Sequence, residues 1–144
     1  MDVELITNAE WEIMRVVWTK KNTTSTEISQ LLKERLAWKP STVKTLLNRL
    51  VEKGFLATEK VGKGFVYSAV IPELNATKGL AEDIERKICA KKIPDFIKQI
   101  ILDSDFTLAD LTSLETLLKE KKKVAVPKIL CNCLPENCCC QEKA

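Results

Sequence analysis

The chain has 144 residues, of which 45% are hydrophobic and 30% charged, a soluble globular composition with room for one domain or two small ones. No apolar run approaches the roughly 18–20 residues that cross a bilayer. It contains no histidine, which excludes His-based triads, His general bases and His metal ligands together. The first residues, MDVELITNAEWE, carry acids and no apolar stretch of signal-peptide length, so a cytoplasmic protein is expected.

Residues 5–70 read as three helices and a hairpin. Thr7-Asn-Ala-Glu10 is a capping box, and the helix behind it places Trp11, Met14, Val17 and Trp18 on one face. The polar run Lys20-Lys-Asn-Thr-Thr-Ser25 reads as a loop. A second capping box, Thr24-Ser-Thr-Glu27, opens a helix with Ile28, Leu31 and Leu32 inward. Pro40 suits the first position of a third helix and Gly54 its C-terminal cap. Phe55 to Val61 and Phe65 to Val70 read as two strands, with Gly62-Lys63-Gly64 at the turn.

Residues 73–123 are helical again. Ala76 to Lys91 sets Leu80, Ile84 and Ile88 on one side, and Pro94 begins a short helix with Phe96, Ile97, Ile100 and Ile101. Thr107-Leu-Ala-Asp110 caps a helix that carries Leu111, Leu114, Leu117 and Leu118. Three amphipathic helices make a thin core for an independent monomer, and burial of the leucine stripe against a second copy is the simplest remedy. The expected fold is mainly α with a small β-hairpin. It divides into a winged helix-turn-helix at 1–71, a helical dimerisation domain at 72–123 and a cysteine-rich tail at 124–144.

The net charge of +3 lies in the first half. Residues 39–66 carry Lys39, Lys44, Arg49, Lys53, Lys60 and Lys63 against Glu52 and Glu59. A basic segment without a basic amphipathic anchor fits nucleic acid better than a membrane. At about 100° per residue, Val43, Leu46, Leu47 and Leu50 share one face of the third helix. Ser41, Thr45, Asn48 and Glu52 lie opposite, flanked by Thr42, Lys44 and Arg49. Such side chains reach base edges and phosphates in a major groove. Taken alone the face could equally be an ordinary solvated one. The order helix, loop, helix, polar-faced helix and basic hairpin is that of a winged helix-turn-helix, in which Lys60 and Lys63 would touch phosphate. Gly62-x-Gly64 precedes no helix start and is not read as a phosphate loop.

Five of the 6 cysteines fall between Cys131 and Cys140. That crowding is not the spread of a disulfide framework. Cys131, Cys133, Cys138 and Cys140 form C-x-C-x4-C-x-C, whose two arms can converge on one soft ion. Four thiolates suit Zn(II) and Cu(I), and the C-x-C form leans toward Cu(I) clusters. Cys139 stands outside the pattern, as a spare ligand or an oxidation liability. Cys89, between Ile88 and Ala90 at a helical position, reads as a packing residue.

The run Pro40-Ser-Thr-Val-Lys-Thr-Leu-Leu-Asn-Arg-Leu-Val-Glu-Lys-Gly54, preceded by Ala9-Glu-Trp-Glu-Ile-Met-Arg-Val-Val-Trp18, resembles the penicillinase-repressor family of BlaI and MecI. The cysteine tail resembles its copper-responsive, CopY-type branch. The resemblance implies a homodimer that represses a copper-export operon from an inverted repeat of TACA/TGTA type. It implies zinc on the cysteines while DNA is bound, and release when Cu(I) from a small chaperone replaces it. The β-lactam-responsive relatives are instead cleaved near an Asn-Phe bond, for which this chain offers only Asp105-Phe106.

The expected function is therefore a copper-sensing, DNA-binding repressor. The rival readings are a β-lactam-type repressor inactivated by proteolysis and a metal-buffering protein. An enzyme is not expected, because the sequence offers no nucleophile–base pair, phosphate loop or open metal site.

Overall fold

Thr7 starts the first helix, α1 (Asn8–Lys20), with a reciprocal cap. Its hydroxyl accepts from the Glu10 N–H at 3.2 Å, and the Glu10 carboxylate accepts from the Thr7 N–H at 3.3 Å. The structure is a computed structural model and describes residues 6–133. The second box forms only in half. The Thr24 hydroxyl accepts from the Glu27 N–H at 3.2 Å and opens α2 (Ser25–Leu36), but the Glu27 carboxylate accepts from the Thr23 hydroxyl at 3.0 Å. A short connection through Ala37, in the left-handed region at φ +55°, leads to α3 (Pro40–Glu52). The helix ends at Lys53, and Gly54 follows at φ +84°, as a left-handed C-terminal stop requires.

Two strands follow, β2 (Leu56–Val61) and β3 (Gly64–Ala69), antiparallel from Leu56 opposite Ala69 to Val61 opposite Gly64. That register leaves Gly62 and Lys63 as a two-residue turn, and Gly62 takes the positive φ of +62° that such a turn needs at its first position. The sheet has a third strand that the sequence reading placed in a loop. Asn22–Thr24, here β1, pairs with β3 and gives the order β1-β3-β2. Three polar residues are too few to display a two-residue period. What makes them a strand is their partner, with Thr23 opposite Tyr67 and fully buried.

The core of this part is one apolar cluster. Ile13, Met14 and Val17 of α1, Ile28 and Leu32 of α2, and Val43, Leu46, Leu47 and Leu50 of α3 meet Phe55, Leu56, Tyr67 and Ile71. Full burial of each large aliphatic or aromatic side chain contributes about 1.5–3 kcal/mol. Met14 and Val17 of the expected face are fully buried together with Ile13. The two tryptophans pack edge-to-face at 5.4 Å on the flank, half-buried, and the Trp18 indole N–H donates to the Ile71 carbonyl at 2.9 Å. Leu31, expected inward, is 37% exposed.

The next helix, α4 (Glu73–Lys87), contributes Ala76 to that core. The chain divides within α4 into two compact units, Met1–Asp83 and Ile84–Ala144. The described residues of the second include a 3-10 turn (Ala90–Lys92), α5 (Ile93–Asp103) and α6 (Leu108–Lys122). Thr107 and Asp110 complete a reciprocal cap on α6, with bonds of 3.1 Å in each direction. No residue from 84 to 133 is fully buried. Ile97, Ile100 and Ile101 of α5 and Leu111, Leu117 and Leu118 of α6 are all exposed. No described helix is long and apolar enough to cross a membrane.

One ion pair crosses the first unit. The Lys53 ammonium donates to both Glu10 carboxylate oxygens, at 2.7 and 3.0 Å, and the Glu10 side chain is fully buried. Burial by itself pushes the Glu10 carboxyl up; the bonds from Lys53 and Thr7, with the Lys53 charge, outweigh it and hold the group below its ordinary 4.5. A depressed carboxyl pKa stabilises the fold above the unfolded value, and that contribution is lost as pH falls through the folded one. Lys53→Met should therefore cost about 2–4 kcal/mol in denaturant unfolding at neutral pH, because it strands a buried carboxylate. The gap between variant and parent should narrow as pH drops below 4.5, where Glu10 protonates. A gap independent of pH would assign the loss to packing of the lysine stem instead.

Candidate nucleic-acid interface and thiol cluster

Helix α3 is divided lengthwise. Val43, Leu46, Leu47 and Leu50 are buried in the core, and Ser41, Thr42, Lys44, Thr45, Asn48 and Arg49 are all exposed. The division follows from the helical period, since a helix can turn only one stripe to the core. The first turn also sets this helix apart electrostatically. Glu10, Glu27, Glu73, Asp95 and Asp110 stand in the first turns of α1, α2, α4, α5 and α6, but α3 has no acid there and no side-chain cap. Its N-terminal N–H groups and the adjacent Lys39 thus form a region of positive potential, suited to phosphate.

The exposed face offers distinct chemistry along its length. The Thr45 hydroxyl donates to the Ser41 carbonyl at 3.0 Å, so its proton is committed to the helix while its oxygen can still accept. Asn48 presents an amide, which pairs two-pronged with an adenine edge. Lys44 and Arg49 flank the strip with cations. Lys60 on β2 and Lys63 in the turn are exposed on the hairpin, with Lys60 opposite Phe65. Lys53 belongs to the same basic stretch of sequence but not to this surface, because its ammonium holds Glu10. Sequence pattern alone did not reveal that pairing, since the two residues are 43 positions apart.

The second unit brings thiols together. The sulfur atoms of Cys89, Cys131 and Cys133 all lie within 4.8 Å of one another, with 3.6 Å between Cys89 and Cys131. The Cys133 N–H donates to the Cys131 sulfur at 3.4 Å. Of the four expected metal ligands, Cys131 and Cys133 thus share one locus. Cys138 and Cys140 lie outside the described residues, as does Cys139. Cys89 is not on a helix. It lies two positions beyond the end of α4 and precedes the 3-10 turn, so the local pattern that suggested helical packing does not apply. A soft donor set of this kind fits a thiophilic ion such as Zn(II) or Cu(I).

The family model described as penicillinase repressor matches residues 6–120. The protein in the ptsI 3′ region of Latilactobacillus sakei, of 16.5 kDa, is 37% identical over 138 residues, 96% of this chain and 94% of that protein. The methicillin resistance regulatory protein MecI of Staphylococcus aureus (strain N315) is 26% identical over 116 residues, 81% of this chain and 94% of the relative. Among solved structures, the DNA-binding domain of the repressor BlaI is 36% identical, with a TM-score of 0.47, over 51% of this chain and 89% of its own. The CopR repressor is 44% identical, with a TM-score of 0.41, over 46% of this chain and 96% of its own.

The split between amide and cations on the exposed surface makes a measurable distinction. Asn48→Ala should change discrimination between duplexes at one base position by roughly 1–3 kcal/mol. Lys63→Ala should weaken all duplexes alike and flatten the salt dependence by about one unit per half-site. Equal effects of the two substitutions on every sequence would remove base reading from Asn48.

Proposed function

This chain belongs to the penicillinase repressor family of transcriptional repressors, and on that premise we propose that it represses as a homodimer and is released from its operator by copper. The DNA half of the proposal rests on α3. A helix with its apolar stripe locked into the core and hydroxyls, an amide and cations on the open side is built to enter a major groove. Thr45 and Asn48 contact base edges, Ser41, Thr42, Lys44 and Arg49 contact bases or backbone around them, and Lys60 and Lys63 of the wing contact phosphate.

Dimerisation rests on the second unit, where α5 and α6 leave Ile100, Ile101, Leu117 and Leu118 exposed. An apolar surface of this extent on so small a unit is best satisfied by a second copy, which also supplies a second α3 for a two-fold operator.

The copper half rests on the single observation that the Cys131 and Cys133 sulfurs converge. Cys131, Cys133, Cys138 and Cys140 hold Zn(II) in the repressing form and give it up for Cu(I), the softer ion, delivered by a donor protein. Thiolates supply a closed four-coordinate site for the first and a lower-coordinate cluster for the second. The change in geometry is what can alter DNA affinity, because an effector shifts an equilibrium only by its differential affinity for the two states. Proteolytic release is the rival. Asp105-Phe106 sits in the connection between α5 and α6, and release there would be indifferent to copper.

Operator binding by the zinc-loaded protein, repeated after addition of Cu(I), tests the switch. The expected result is a loss of about a hundredfold, or about 2.7 kcal/mol of coupling. Unchanged binding with zinc displaced would make the tail a metal store. The dimer is tested by Leu117→Asp, at a position 61% exposed in the single chain, so that the chain itself should fold. Sedimentation should show monomer, through a cost of roughly 2–4 kcal/mol for the buried charge. A stable dimer would move the interface off this face of α6.

A further inference from the structure

We infer that Cys89 is a metal ligand, and that Cys89, Cys131 and Cys133 form a three-thiolate site for Cu(I) on a single chain. The sulfurs are 42 residues apart in sequence between Cys89 and Cys131, yet 3.6 Å apart in space. Ligand sulfurs about 2.3 Å from one ion stand about 3.8–4.0 Å from each other. A group whose members all lie within 4.8 Å can close on one ion with small side-chain adjustments.

Two further features favour the site. The backbone between the ligands is pinned, because the Ala90 N–H donates to the Asn132 side-chain carbonyl at 2.8 Å. The residue after Cys89 is thereby fastened to the residue between Cys131 and Cys133, which aligns the two segments independently of any ion. The flanking charge also has the right sign. Arg86, Lys87, Lys91 and Lys92 surround Cys89 in sequence with no carboxylate among residues 86–92. Three thiolates on one Cu(I) carry a net charge of −2, which neighbouring cations favour.

Coordination number selects the ion. Structural Zn(II) sites take four ligands, and this group supplies three thiolates, a number that a soft monovalent ion accepts. On binding, three S–H protons pass to solvent, three metal–sulfur bonds form and no electron is transferred. Occupancy fastens the tail to the segment that follows α4. The choice of Cu(I) rests on the copper reading above, whereas the grouping of the thiols rests on the structure alone.

The test uses the full chain. Cys138, Cys139 and Cys140 are first replaced together by serine, which leaves the three grouped thiols. Anaerobic titration with Cu(I) against a chromophoric chelator should give one ion per chain, and X-ray absorption should count three sulfur neighbours. Adding Cys89→Ser, or separately Cys89→Ala, should lower the affinity roughly tenfold or more and reduce the sulfur count to two. Unchanged circular dichroism would show that either variant still folds. Undiminished affinity in both Cys89 variants, or only two sulfur neighbours while Cys89 is still present, would overturn the site. Operator binding is read on the chain with all six cysteines, because Cys138 and Cys140 belong to the proposed switch, and it separates this outcome from the fate of the repressor switch. Copper held through Cys89 with no effect on DNA would uphold the three-thiolate site and remove the switch. Copper-driven release undiminished in full-tail Cys89→Ser, with the copper sulfur count also unchanged, would uphold the switch and remove Cys89 from the site.

Discussion

The burial of Val43, Leu46, Leu47 and Leu50 determines what the first unit presents to its surroundings. All four are buried, at 5% exposure or less, in a cluster drawn from α1 to α4 and the hairpin. A helix held at four points along one stripe cannot roll, since rotation by even a part of a turn would expose about 1.5–3 kcal/mol of apolar surface per side chain. The opposite strip, with Thr45 and Asn48 at its centre, is therefore positioned by the core rather than by its own contacts. The proposed reading of DNA depends on this, because discrimination between bases requires donors and acceptors on a rigid element.

The remaining features of that unit support the same helix at its ends. Gly54 at positive φ stops α3 and turns the chain into β2, and the two-residue turn at Gly62-Lys63 sends it back beside β1. Lys53, at the C-terminal end of α3, reaches the start of α1 through Glu10. A buried carboxylate is costly unless paired, so the Lys53 ammonium is what makes burial of Glu10 tolerable. It also removes one cation from the basic segment and confines the remaining positive charge to the strip and the wing.

The second unit is organised on a different principle. Its α6 is well capped, with Thr107 and Asp110 bonded reciprocally, but no residue from 84 to 133 is fully buried. Helices so formed are locally well specified and globally unsatisfied, which is the condition of a surface that needs a partner. At Cys89, Cys131 and Cys133 the same unit collects its soft donors. A small unit of this kind is ordinarily completed by a second copy or a metal, and both are proposed for it here.

Much of this was legible in the sequence, and the physical reason is that it was local. The helical period placed the buried and open faces of α3, the Thr-x-x-Glu and Thr-x-x-Asp boxes marked helix starts, and Gly54 and Gly62 marked turns, each within about four residues. The motif in Pro40–Gly54 and the crowding of cysteines carried the family and the suggestion of soft-metal chemistry in the same way. Tertiary structure decided what joined distant residues. It made a strand of Asn22–Thr24 by supplying β3 as a partner, and moved the tryptophans of α1 to the flank, where an indole could reach the Ile71 carbonyl. It turned Glu10 and Lys53, 43 positions apart, from a cap and a surface base into a buried pair. It took Cys89 from an apparent packing site to the side of Cys131, 42 positions away. Periodicity constrains which way a side chain points along its own element, but only the packed chain determines what that side chain meets.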